Sequence, residues 1–336
     1  MLLIAALVVV AISSCTKEGP QGPAGKDGQD ANATCGQCHN FTDSIVTKIF
    51  QYNGSQHATG STAFEGTRAD CAPCHASQGF TEAILNDKDT VAAGFNEPAP
   101  INCRTCHKIH ETYTNDDWAL RITSGFTTRI GVQMDLAANG GNGNLCARCH
   151  QARKASPWIT DPNSAEIVNV TSTRWGPHHG PQSEVLAGNG CFVIGSAIYE
   201  NSPHKDIASC VTCHGATPAM GNLTGGHTLR LANEEEGDNL SGCKTTGCHP
   251  SATSFDIDDS QTEIEGLLNT LKVQLATADL LDTNTMLLPQ KGNYKMSDLA
   301  VFWNFQMIEA DRSMGVHNYK YTKGVLNACI NYMNGK

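Results

Sequence analysis

The spacing of apolar residues changes character near residue 250. Beyond that point Ile264, Leu267, Leu268, Leu271 and Leu275 recur at helical intervals, behind Ser260-Gln-Thr-Glu263, which has the form of a capping box. Ser297 can cap a second helix carrying Leu299, Phe302, Trp303 and Ile308 and stopping near Gly315. Thr322 can open a third, with Val325, Leu326, Cys329, Ile330 and Met333 on one face. Before residue 250 no such period is sustained. Connectors rich in Gly and Asn, such as 139–144, predict loops between short helical turns. At the other end, residues 2–12 form one apolar run closed by Ser13-Ser14-Cys15.

The middle of the chain is organised instead by cysteine and histidine. Five segments have the form Cys-x-x-Cys-His: Cys35/Cys38/His39, Cys71/Cys74/His75, Cys103/Cys106/His107, Cys146/Cys149/His150 and Cys210/Cys213/His214. A sixth, Cys243/Cys248/His249, is stretched to four intervening residues. A zinc ribbon would need a second Cys or His pair for each site and no adjoining His. A disulfide framework leaves the six trailing histidines without a purpose, and a thioredoxin-like redox motif would occur once. Covalent c-type haem attachment accounts for every position, with the two thiols bonded to the porphyrin vinyl groups and the His bound to iron. Six motifs predict six haems. The intervals between first cysteines, 36, 32, 43, 64 and 33 residues, are too irregular for a solenoid. With 6% aromatic residues, much of the apolar core there must be porphyrin.

Of thirteen histidines, six are proximal candidates, which leaves His57, His110, His178, His179, His204, His227 and His317. Seven candidates for six open faces is near the stoichiometry of an all-bis-His protein, in which closed axial sites favour electron transfer and an open face would signal substrate binding. His57 and His204 each precede a motif by a short span, and His110 lies three residues after His107, better placed for a neighbouring haem than for the same one. His227 follows Gly225-Gly226, a loop that lets backbone approach a porphyrin closely. His178 and His179 are adjacent, so one of them is spare: it orients its neighbour or a propionate, or it donates protons beside an exposed haem. Met134 or Met220 could replace one distal His. Cys191 and Cys329 stand outside the motifs, as buried thiols or as one disulfide.

The apolar run at 2–12 is too short to span a bilayer and reads as the core of a signal peptide. Ile-Ser-Ser-Cys15 is similar to a bacterial lipobox, with Cys15 as the lipidated residue and Thr16 implying outer-membrane sorting. No basic residues precede the run, as in a truncated start. Four Gly-x-y triplets from Gly19 to Asp30 are too few for a collagen helix and read as a solvated tether, with a trimerising stub as the alternative. The net charge of −10, made more negative by haem propionates, disfavours nucleic acid and favours basic redox partners. Asp256, Asp258 and Asp259 lack the Gly of an EF-hand loop and read as helix N-terminal carboxylates.

With these motifs the chain resembles the multihaem c-type cytochromes of respiratory bacteria over about residues 35–336. Trp175-Gly-Pro-His-His-Gly-Pro-Gln182, Ser202-Pro-His-Lys205, Cys-His-Lys-Ile-His110 and Gly226-His-Thr228 look like distal-ligand segments of that group. Asp311-Arg-Ser-Met-Gly-Val-His-Asn318 resembles the tail element of nitrite reductase and tetrathionate reductase relatives, which implies that His317 ligates an iron. Those enzymes often use a Cys-x-x-Cys-Lys haem or an open distal face, and this chain has no Cys-x-x-Cys-Lys. The expected fold is mainly α with sparse regular structure, a cytochrome c core wrapped around six haems plus C-terminal helices. Residues 1–14 are the signal peptide, 15–34 the lipidated tether, 35–250 the hexahaem domain and 251–336 a helical segment packed on it. The expected function is electron transfer at the cell envelope, from a lipid-anchored, exported protein facing periplasm or cell surface, with homo-oligomers or a filament as a variant. The alternatives are reduction of a small nitrogen or sulfur oxyanion at one five-coordinate haem and, more weakly, haem storage or gas sensing.

Overall fold

In a computed structural model of the chain, the described residues are Gly36, His39 and 43–336 apart from Ala219, Met220 and Thr246. The chain divides into two compact units, Met1–Asn40 and Phe41–Lys336. The apolar run, Cys15, the Gly-x-y triplets, Cys35 and Cys38 fall in the first unit and lie outside the described residues.

The second unit is mainly helical with little regular structure in its first two hundred residues. Short helices α1 (Asp43–Asn53), α2 (Gln56–Thr59), α3 (Ala72–His75), α4 (Ser77–Ile84), α5 (Cys103–Cys106), α6 (Asn142–Ala147), α7 (Gln182–Ala187), α8 (His204–Ile207) and α9 (Cys210–Cys213) are joined by loops and three small antiparallel strand pairs. Helices of a single turn are marginal by themselves, so the motif helices rely on local devices. In α5 Asn102 and Thr105 form a reciprocal capping box, and Ser209 and Thr212 do the same in α9. In α3 Pro73 sits in the first turn, where its missing N–H costs nothing.

After residue 250 three long helices follow: α10 (Ser260–Thr277), α11 (Met296–Asp311) and α12 (Tyr319–Asn334). Their apolar faces match the sequence pattern, with Ile264, Leu268, Leu271 and Leu275 of α10 and Val325, Leu326, Cys329 and Met333 of α12 buried. Each such aliphatic side chain contributes about 1.5–3 kcal/mol on burial. The starts and stops differ from expectation. The first helix is capped not by a Ser260/Glu263 box but by Asp256, whose carboxylate accepts from Gln261 N (2.7 Å), Thr262 N (3.3 Å) and Thr262 Oγ1 (2.6 Å). Left-handed φ values at Asp258 and Asp259 fold Asp256 back over the helix end, where a carboxylate meets the positive end of the dipole. α11 begins at Met296, before Ser297, and stops at Asp311 because Arg312 turns left-handed (φ 59°). α12 starts at Tyr319, three residues before Thr322, with Asn318 accepting from Tyr321 N as its cap.

α11 is buried on nearly every face and lies at the centre of the largest core, which joins 130–200 to the tail. Trp303 donates to Gly190 O (2.9 Å), and the Asn304 amide pairs with both the N–H and the carbonyl of Phe192. Cys191 and Cys329 are both free thiols, so no bridge forms. Burial pushes Cys329 up to about 12. Met134 is also a core side chain, packed with Leu136, Ala147 and Leu186, and Met220 lies outside the described residues.

Candidate functional site

Each motif histidine of the second unit faces one histidine from outside the motifs. The ring centres of His75 and His178 are 6.2 Å apart, those of His107 and His227 6.2 Å, and those of His150 and His57 6.1 Å. His214 and His317 stand at 6.4 Å, and His249 and His204 at 6.0 Å. Two imidazoles bound to one metal from opposite sides, each through a bond of about 2 Å, put their ring centres about 6.3 Å apart. The ring planes meet at angles from 22° to 86°, which ligation permits because each ring can turn about its own metal–nitrogen bond.

Hydrogen bonds fix which nitrogen of these rings is available. Nδ1 of His107 lies 2.6 Å from Trp118 O, that of His204 2.7 Å from Val316 O, and that of His214 3.0 Å from Leu229 O. Nδ1 of His150 is 3.3 Å from Gln182 Oε1, and that of His317 is 2.6 Å from Asp311 Oδ1. Such contacts make Nδ1 the donor and leave Nε2 as the free lone pair, the arrangement of a ligating histidine held by an outer partner. Six of the rings are also biased toward the neutral form that ligation requires. Burial, then His150, lowers His57 to about 4. Burial, then Arg153, His179, His75 and Arg129, lowers His178 to about 4. Burial lowers His75, His150, His214 and His227 as well. His317 differs: burial would lower it, but the Asp311 carboxylate outweighs burial and raises it.

Cysteines of different motifs are neighbours. The Cys74 and Cys149 thiols are neighbours, with Cys74 Sγ donating to Arg148 O (3.8 Å) and Cys149 Sγ to Pro73 O (3.9 Å), a reciprocal arrangement. The Cys146 thiol neighbours that of Cys210, whose Sγ is 3.9 Å from Gly143 O. Burial, and next the thiol of Cys146, pushes Cys106 up to about 12. Burial, followed by Cys243 and Cys248, pushes Cys213 up to about 11. In a c-type cytochrome these sulfurs would be thioethers at porphyrin edges, so neighbouring sulfurs mean neighbouring edges.

Imidazoles in facing pairs, each beside a Cys pair, are the donor set a six-coordinate c-type haem requires. The residues fit the group. No protein-family model matches the chain, and no curated protein matches it. Among solved structures, the outer cell wall cytochrome OcwA matches with a TM-score of 0.51 and 20% identity, over 85% of this chain and 50% of that one. The chain shares the fold of a cytochrome. It spans half the length of the OcwA chain.

The partnerships are not those that proximity in sequence suggests. His57 faces His150 and not the His75 of the motif it precedes, and His204 faces His249 and not His214. Of the adjacent pair, both exposed, His178 meets His75, while the ring of His179 lies 5.3 Å from that of His178 and meets no motif histidine among the ring contacts of the described residues. His110 is not one helical turn beyond His107. It sits in a turn with φ 66°, exposed, its ring 5.6 Å from Tyr113 and its N–H donating to Asp117 Oδ2. Gly225 and Gly226 adopt φ of 67° and 53° to bring His227 opposite His107. Sequence reading missed the Nδ1 partners Asp311 and Gln182 and the capping boxes that begin at Asn102 and Ser209. The boxes have a local signature, Asn or Ser with Thr three residues on. Asp311 has none until α11 is seen to end there.

Proposed function

We propose that this chain is an electron-transfer protein carrying six c-type haems, one on each motif, with iron ligands His75/His178, His107/His227, His150/His57, His214/His317 and His249/His204. The observation that carries the reading is the set of five imidazole pairs at 6.0–6.4 Å. His110 and His179 remain as distal candidates outside those pairs. Bound haem supplies an iron that takes up and releases one electron. The polypeptide supplies attachment, closed axial faces and spacing. With an imidazole on each side the iron would keep its ligands in both redox states, ligand rearrangement would be small, and no face would be left for substrate. The sulfur contacts Cys74–Cys149 and Cys146–Cys210, with Cys106 near Cys146 and Cys213 near Cys243, support a relay in which the second, fourth, fifth and sixth groups follow one another and the third flanks the fourth.

Export and lipidation at Cys15, with the Gly-x-y tether as spacer, belong to the same reading, as do basic redox partners attracted by the negative charge. The described residues contain no helix long and apolar enough to cross a membrane. The likeness to an outer cell wall cytochrome supports an envelope role.

Intact mass and electron paramagnetic resonance of the purified, oxidised protein test the proposal together. The mass should exceed that of the polypeptide by six haems, and the iron should be low-spin throughout. Replacing His57 by Ala should then create one high-spin ferric centre that binds carbon monoxide when reduced. A large high-spin signal in the unaltered protein, perturbed by nitrite or hydroxylamine, would instead establish an oxyanion reductase.

A further inference from the structure

The paired histidines differ in what receives their Nδ1 proton. For His107, His204 and His214 it is a backbone carbonyl, and for His150 an amide oxygen. For His317 it is a carboxylate, Asp311 Oδ1 at 2.6 Å, whose side chain is 1% exposed. The second oxygen of Asp311 accepts from the Ser313 hydroxyl. The turn that holds this pair is tightly fixed. Asn318 accepts from Ser202 N (2.8 Å) and donates to Leu186 O (3.2 Å) and Asn201 Oδ1 (2.8 Å), and Gln261 donates to Ser313 O (3.1 Å). The ring of His317 is therefore held against the carboxylate while it faces His214.

We infer that Asp311 is a tuning residue that lowers the reduction potential of the haem on Cys210/Cys213, relative to the same haem with a neutral partner to His317. The inference rests on the proposal that His317 and His214 ligate that iron. A carboxylate accepting the Nδ1 proton gives the imidazole partial imidazolate character and makes Nε2 a stronger donor. A stronger donor stabilises the ferric state, and low exposure lets the charge act with little screening. Cys210 neighbours Cys146 and Cys213 neighbours Cys243, so in the proposed relay this haem would stand between the groups on Cys146/Cys149 and Cys243/Cys248. The backbone of the same turn serves the neighbouring site through Val316 O and His204 with a neutral acceptor, so only one of the two potentials is lowered in this way.

Potentiometric titration of the full-length holoprotein, followed optically and by electron paramagnetic resonance, tests the inference. In Asp311→Asn one midpoint should rise by at least a tenfold change in the reduction equilibrium, about 59 mV for one electron. One low-spin signal should also widen its spread of g values, as imidazolate character is lost. Asp311→Glu, which keeps the charge, should stay near the unaltered protein on both counts, whereas a purely structural role would make both variants shift alike. Should Asp311→Asn fail to fold, Ser313→Ala gives the opposite displacement: freed of one hydrogen bond, Asp311 accepts more strongly from His317 and the same midpoint falls. Unmoved midpoints in a low-spin, six-haem variant overturn the role of Asp311. High-spin iron or missing haem in the unaltered protein would overturn the ligand assignment instead.

Discussion

Glu184 is fully buried on α7, with its carboxyl oxygens accepting from Ala152 N (3.1 and 3.2 Å) and the Ser183 hydroxyl (3.1 Å). Burial outweighs these bonds and pushes it up from 4.5 to about 7. A carboxyl raised in the folded state binds its proton more tightly there than in the unfolded chain, so its stabilising contribution is complete below about pH 4.5 and is lost as pH rises through about 7. The difference amounts to roughly 3 kcal/mol. Glu184→Gln should therefore flatten the decline in melting temperature between pH 5 and pH 8. An equally steep decline in the variant would show that Glu184 is not its source. Single residues also set the limit of sequence reading. Nothing in Pro-His178-His179-Gly distinguishes the two rings. The choice is made by φ 74° at His178, which turns that ring toward His75.

At the scale of elements, the turn between α11 and α12 connects the helical tail to two of the histidine pairs. It presents His317 to His214 and lends Val316 O to His204. The turn is seated on α10 at Gly315, whose φ is 88° and where an added Cβ would lie 2.8 Å from Ile264 Cγ1. Both facts demand glycine. Gly315→Val should cost on the order of 1–3 kcal/mol from backbone strain alone, visible as a lower melting temperature. It should also perturb one low-spin signal as His317 shifts. A variant with unchanged melting and spectrum would mean the turn has room to move. Helix faces in this tail were legible in the sequence because a period of 3.6 residues is a local property. Their ends were not, because Asp256 caps α10 only through two left-handed residues and α11 stops where Arg312 turns.

The whole molecule distributes its core unevenly. The largest cluster gathers α10, α11 and α12 with residues of 130–194, whereas around the second and third motifs the buried clusters are small, such as Phe80, Ile84, Ile122 and Leu145. Covalently held porphyrin would complete that region. A chain with its twelve motif cysteines replaced by Ser should therefore lose cooperative thermal unfolding over residues 43–150. A sharp melt with full helix content would show that side chains alone suffice there. By itself the sequence determined where Cys and His stand side by side and which faces of the tail helices are apolar, since attachment spacing and helical period act within a few residues. Only the tertiary structure decided which histidines meet. His57 and His150 are 93 residues apart, His75 and His178 103, and His107 and His227 120, and such distant partners are brought together by burial of the whole chain and by no rule of local spacing.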